Sequence, residues 1–130
     1  MIVVDASAIL EVLLNTPQAP RVAARLLDKR ETLHAPHLID LEVAQVLRRY
    51  DAAGELSAER ATQALDDLAA FPLRRYPHDM LVGRIWELRK NATAYDAAYL
   101  ALAESLGATL VTRDARLARV RGVSATIEIP

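Results

Sequence analysis

The 130-residue sequence contains no cysteine and only two lysines, Lys29 and Lys90. Without cysteine there is no disulfide scaffold, no thiolate zinc site and no thiol nucleophile. The absence is compatible with the cytoplasm, which is the expected compartment. No apolar stretch approaches the roughly 20 residues of a membrane span, so no membrane segment is expected. The opening Met1-Ile2-Val3-Val4-Asp5 has no basic leader, and no signal peptide is expected. Internal repeats, low-complexity tracts and linkers are also missing. Nor is there a basic excess: the formal net charge is −1, which by itself argues against a nucleic-acid surface. That average hides clusters at Arg48-Arg49, Arg74-Arg75, Arg89-Lys90 and from Arg113 to Arg121. Arginine suits bidentate phosphate contacts. A coding bias toward arginine on solvated helix faces explains the same clusters without function.

What is present is an apolar fraction of 52%, enough for a core and incompatible with disorder. The length fits one domain spanning residues 1–130. Short apolar runs predict strands over 2–4, 33–35, 73–76, 109–112 and about 125–129. Helical periodicity predicts helices over 7–14, 17–30, 38–50, 57–71, 79–89, 93–106 and, briefly, 114–119. Ser57 and Thr93 read as N-caps, and Gly54 and Gly107 as helix stops. Strands alternating with helical segments imply an α/β fold with a largely parallel sheet, in which helix outweighs strand.

Four acids stand out against this pattern: Asp5, Glu42, Asp96 and Asp114. Asp5 and Asp114 follow apolar strands at their carboxyl ends, where open parallel sheets bind ligands. Asp96 interrupts a helix that is otherwise almost wholly apolar on its face. Glu42 lies at the margin of the apolar stripe of its helix. Both fall early in helices whose amino ends start near that same sheet edge. Each acid has a plainer role available. Asp5 suits a strand-end turn, Asp114 an N-cap, Asp96 a capping-box partner of Thr93, and Glu42 an ion pair with Arg49. All four plain roles together would have to agree on one edge by coincidence. Clustered carboxylates do not stay ionised together without a cation. Oxygen ligands favour magnesium or manganese, and such metals serve phosphodiester hydrolysis by activated water.

The ordered motifs resemble those of PIN domains, in particular the single-domain VapC toxins of type II toxin–antitoxin pairs. Ile2-Val3-Val4-Asp5-Ala6-Ser7-Ala8 resembles the first motif and Leu41-Glu42-Val43 the second. Thr93-Ala94-Tyr95-Asp96-Ala97-Ala98-Tyr99-Leu100-Ala101-Leu102-Ala103 resembles the third, and Leu110-Val111-Thr112-Arg113-Asp114 the fourth. The resemblance implies a three-layer α/β/α sandwich and magnesium-dependent endoribonuclease activity, with manganese as an alternative ion. It implies Asp5, Glu42, Asp96 and Asp114 as catalytic metal ligands, with Ser7 and Thr112 in support. A helix-capping role for Ser7 stands beside the supporting one. The resemblance further implies an RNA substrate, a homodimer, and inhibition by a VapB-like antitoxin in a hetero-oligomer. Arg89, Lys90 and Arg113 flank the third and fourth motifs and are candidate phosphate contacts.

Other features carry less. His34, His37 and His78 are not spaced as a zinc site and suit surface or turn roles. Trp86 reads as core or dimer packing. Tyr95 and Tyr99 flank Asp96 as packing residues, or as stacking platforms for a base. A phosphoryl-transfer enzyme of the haloacid-dehalogenase type would need a second aspartate where Ser7 stands and a lysine after a late strand, and both are missing. The remaining alternative is a PIN-like module that binds RNA or protein without cutting.

Overall fold

Ile2, Val3 and Val4 are fully buried in the computed structural model, which describes residues 1–130. A run that is apolar on both faces suits a strand covered from both sides. This strand, β1 (Ile2–Val4), is the middle one of five. With β2 (Leu33–Pro36), β3 (Leu73–Tyr76), β4 (Thr109–Val111) and β5 (Ile127–Glu128) it forms one sheet in the order β3-β2-β1-β4-β5. Every pairing is parallel, with Ile2 opposite Leu33 on one side and Thr109 on the other. The chain therefore builds outward from β1 in one direction and then returns to build in the other. Such a switch point leaves a crevice beyond the carboxyl ends of the two central strands.

Helices α1 (Ala6–Leu13) and α2 (Ala19–Leu26) link β1 to β2, and α3 (Leu38–Ala52) and α4 (Ala58–Ala70) link β2 to β3. Helices α5 (Val82–Glu87) and α6 (Ala94–Leu106) lead back to β4. α1 packs on α2, α3 and α4, whereas α5 packs on α6. Right-handed crossovers place these two groups on opposite faces, giving the expected α/β/α layering. α6 is buried from Ala97 through Ala103 without a break, the signature of a helix enclosed on all sides. It lies against β1, β2 and β4, and its alanines let it approach closely. Gly107 ends it in the left-handed conformation, φ 60°, which glycine adopts without strain. No helix is long and apolar enough to cross a membrane.

Several boundaries move, each for a local reason. The first helix begins at Ala6 because Asp5 caps it. The helix expected over 17–30 stops at Leu26, and Arg30 folds back onto Asp28. The segment 79–89 opens with a 3-10 turn, Asp79–Leu81, before α5, and after Asp114 only the turn Leu117–Arg119 forms. The last strand is reduced to two residues. His34 is not at the surface: it is buried on β2, its ring bonded to Thr32 at 2.8 Å and Tyr76 at 2.7 Å. Trp86 is not core. It is 66% exposed, with the Arg89 guanidinium over its ring at 4.6 Å.

Candidate functional site

Asp5 is buried at the carboxyl end of β1, yet every oxygen of its carboxylate is engaged. Oδ1 accepts from Ser7 Oγ at 2.7 Å and from the Ala8 amide at 3.1 Å, and Oδ2 accepts from Thr112 Oγ1 at 2.6 Å. The Ala8 bond is the N-cap of α1, so the capping role belongs to Asp5 rather than to Ser7. Ser7 Oγ lies 3.2 Å from Thr112 Oγ1 and accepts from the Arg113 amide at 2.8 Å. Thr112 Oγ1 in turn accepts from the Asp114 amide at 2.9 Å. The two hydroxyls thus stitch the β1–α1 junction to the end of β4. Burial pushes the Asp5 carboxyl above its usual range, the three hydrogen bonds pull it back, and the nearby Asp114 charge adds to the rise.

Glu42 projects from the second turn of α3 and forms no salt bridge, with Arg49 or otherwise. Its Oε1 is buried without a hydrogen-bond partner, and so is the hydroxyl of Tyr99. Burial raises the Glu42 carboxyl, and the charges of Asp5 and Asp96 raise it further. The Tyr99 hydroxyl beside it offsets part of this, although the pair falls short of ordinary hydrogen-bond geometry. Asp96 sits in the first turn of α6, where its amide donates to Thr93 Oγ1 at 3.1 Å, half of the capping box. Its carboxyl is raised by burial and by Asp114, against the pull of Arg116. Asp114 alone is shifted down, chiefly by the hydrogen bonds of Arg116.

All four acids line one open cleft of about 720 Å³ at the sheet's switch point. Ser7 and Arg113 line it too; Arg113 lies 3.8 Å from Glu11 and also donates to the Pro130 carbonyl. Arg89 and Lys90 do not line the cleft. Arg89 instead donates to the Trp86 carbonyl at 2.9 Å. Two cations that do line it, Arg49 and Arg116, were named from the sequence only within basic clusters or as an ion-pair partner, not among the candidate phosphate contacts. The signal was available. Arg49 follows Glu42 by two helical turns, and Arg116 follows Asp114 by two residues. Of the two tyrosines, Tyr99 is buried at the floor and Tyr95 is 64% exposed at the rim.

No three acidic or imidazole side chains converge into a ready-made metal cage. The donor set nevertheless fits a hard divalent cation. Three carboxyls are held above their usual range by burial and mutual repulsion, and one carboxylate oxygen is buried with no partner. A cation relieves both conditions, and all-oxygen ligands suit magnesium or manganese rather than zinc. The hydrogen bonds on Asp5 do not prevent this, since Oδ2 accepts only from Thr112 and keeps a further lone pair.

The family model described as PIN domain matches residues 2–123. Ribonuclease VapC9 of Mycobacterium tuberculosis (strain H37Rv) is 49% identical over 117 residues, covering 90% of this chain and 88% of that protein. Ribonuclease VapC12 of the same strain is 40% identical over 129 residues, covering 99% of this chain and 98% of that protein. Among solved structures, VapBC2 from Rickettsia felis bound to a DNA fragment from their promoter has a TM-score of 0.72 at 17% identity. It covers 99% of this chain and 98% of that one, a likeness of fold alone.

Proposed function

Because the chain belongs to the PIN-domain family, we propose that its carboxylate cleft is the catalytic centre of a VapC-type ribonuclease, the toxin half of a toxin–antitoxin pair. The observation that carries this reading is the meeting of Asp5, Glu42, Asp96 and Asp114 at the one edge where the fold leaves a crevice. All four positions keep an acid, which counts against a scaffold that binds without cutting.

Asp5, Glu42, Asp96 and Asp114 would hold the ion, magnesium or manganese. When bound, that ion activates water and neutralises charge on a phosphodiester. The chain's own part is positioning. Ser7 and Thr112 fix the Asp5 carboxylate, so it does not need to reorganise when substrate arrives. Glu42 presents an oxygen already stripped of water. Thr93 holds the first turn of α6, and with it Asp96, over the cleft. Arg113 and Arg49 supply positive charge for an RNA backbone that the net charge of −1 does not. We read Arg89 and Lys90 as more distant contacts on a long RNA.

We assign residues 1–130 to one PIN domain acting in the cytoplasm, as a homodimer that a VapB-like antitoxin inhibits in a hetero-oligomer. Val82 and Trp86, one turn apart on α5, and the adjacent Met80 form an exposed apolar strip that supports self-association. Expression in a bacterial host tests the toxin reading. Wild type should arrest growth, and Asp96→Asn should relieve the arrest at equal protein level. Arrest that persists undiminished in Asp96→Asn sinks the reading.

A further inference from the structure

Of the four candidate ligands, Asp114 is the one whose charge is already answered by a cation. The Arg116 side chain folds over it, with Nε 3.1 Å from Oδ1 and 3.1 Å from Oδ2, and Nη2 2.6 Å from Oδ2. The Arg116 amide closes the turn on Oδ1 at 2.9 Å. Both carboxylate oxygens are therefore held by one guanidinium. The same clamp forms far from the cleft in Asp28-Lys29-Arg30, where Arg30 Nε lies 3.1 Å from Oδ1 and Nη2 2.8 Å from Oδ2. The Asp-X-Arg spacing thus makes the clamp locally, without help from a site. What differs at Asp114-Ala115-Arg116 is the location. Asp114 faces the cleft, and the same guanidinium also acts on the charge of Asp96.

We propose that Arg116 is a built-in cationic latch, which competes with the divalent ion for the Asp114 carboxylate and is displaced when that ion binds. The proposal rests on the cleft being a metal site. Guanidinium and metal claim the same two oxygens, so direct ligation by Asp114 requires at least one hydrogen bond to break. The displaced group stays charged, because arginine does not deprotonate in this range. Its side chain is 80% exposed and swings into solvent without disturbing the core. The latch is weak, since exposed ion pairs contribute little. It therefore tunes the metal concentration at which the site loads, and does not close the site.

Isothermal titration of Mn2+ into RNA-free protein tests this. Arg116→Gln should bind Mn2+ about two- to fivefold tighter than wild type, in line with the strength of an exposed pair. Arg119→Gln, which removes another exposed cation that forms no salt bridge with Asp114, should change affinity by much less. In an Asp114→Asn background, Arg116→Gln should give no tightening. Two results overturn the latch while leaving the metal site intact: Arg116→Gln binding no tighter than Arg119→Gln, or tightening that persists with Asp114→Asn. Absence of Mn2+ binding in every protein, wild type included, overturns the metal-site reading and the latch together.

Discussion

At the residue scale, Asp5 caps α1, receives Thr112 from the neighbouring strand and faces the cleft. Its substitution therefore tests stability and chemistry at once, whereas Glu42 and Asp96 separate the two. Thr112 is fully buried, donates to Asp5 and accepts from the Asp114 amide. Thr112→Val should destabilise the domain by about 1–3 kcal/mol, because it leaves charged and amide partners unsatisfied in the interior. Urea unfolding measures this, and an unchanged midpoint would contradict it. The pH dependence carries a sign of its own. Asp5, Glu42 and Asp96 are raised in the folded state, so above the ordinary carboxylate range the native protein holds more protons than the unfolded chain. Stability of the metal-free protein therefore falls as pH rises through that window and recovers as pH falls back. Glu31, Glu104 and Asp114, lowered by cationic partners, act oppositely: their contribution is present above the ordinary range and is lost in acid. Glu42→Gln combined with Asp96→Asn should accordingly melt higher than wild type at about pH 7, with the gap closing near about pH 4. A variant that melts lower at neutral pH would contradict the account.

At the scale of elements, α6 sets Asp96 against β1 and β4, and it does so through small residues. Ala103 is fully buried in the stretch that packs on the sheet. Ala103→Leu should cost about 1–3 kcal/mol by overpacking. It should also weaken Mn2+ binding, because tilting α6 moves Asp96. Thermal melting and metal titration check the two effects, and a stable variant with wild-type metal affinity would show that α6 does not position the site. The elements themselves were legible where apolar periodicity marks a helix face, as in α3, or where a cap opens the helix, as Ser57 does for α4 and Thr93 for α6. Boundaries failed where a side chain overrides periodicity: Asp5 starts α1 a residue early, and the fold-back of Arg30 onto Asp28 follows an early end to α2. His34 was misplaced because a buried imidazole needs two partners, Thr32 and Tyr76, and Tyr76 lies on another strand. No local pattern reports a pairing across β2 and β3.

For the whole molecule, the position of the cleft follows from strand order, β3-β2-β1-β4-β5, and not from any single motif. The acids were readable from their places at strand ends and helix starts, as was their common edge. The clamp on Asp114, the orphaned oxygen of Glu42 and the distance of Arg89 and Lys90 from the cleft were not, because they depend on side-chain direction. The exposed strip around Trp86 also emerges only in three dimensions. If the proposed homodimer packs through that strip, Trp86→Glu should lower the mass in light scattering after size exclusion to that of a monomer, and a dimeric mass unchanged by the substitution would remove α5 from the proposed interface. The central claim is that four acids form one metal-dependent nuclease centre. Its most direct test is cleavage of a structured RNA by wild type, Glu42→Gln and Asp96→Asn, each with magnesium and with chelator. The account predicts cleavage by wild type with magnesium alone, and a loss of at least about a hundredfold in both variants while they remain folded. Equal cleavage by wild type and both variants, or cleavage that survives chelation, would contradict it.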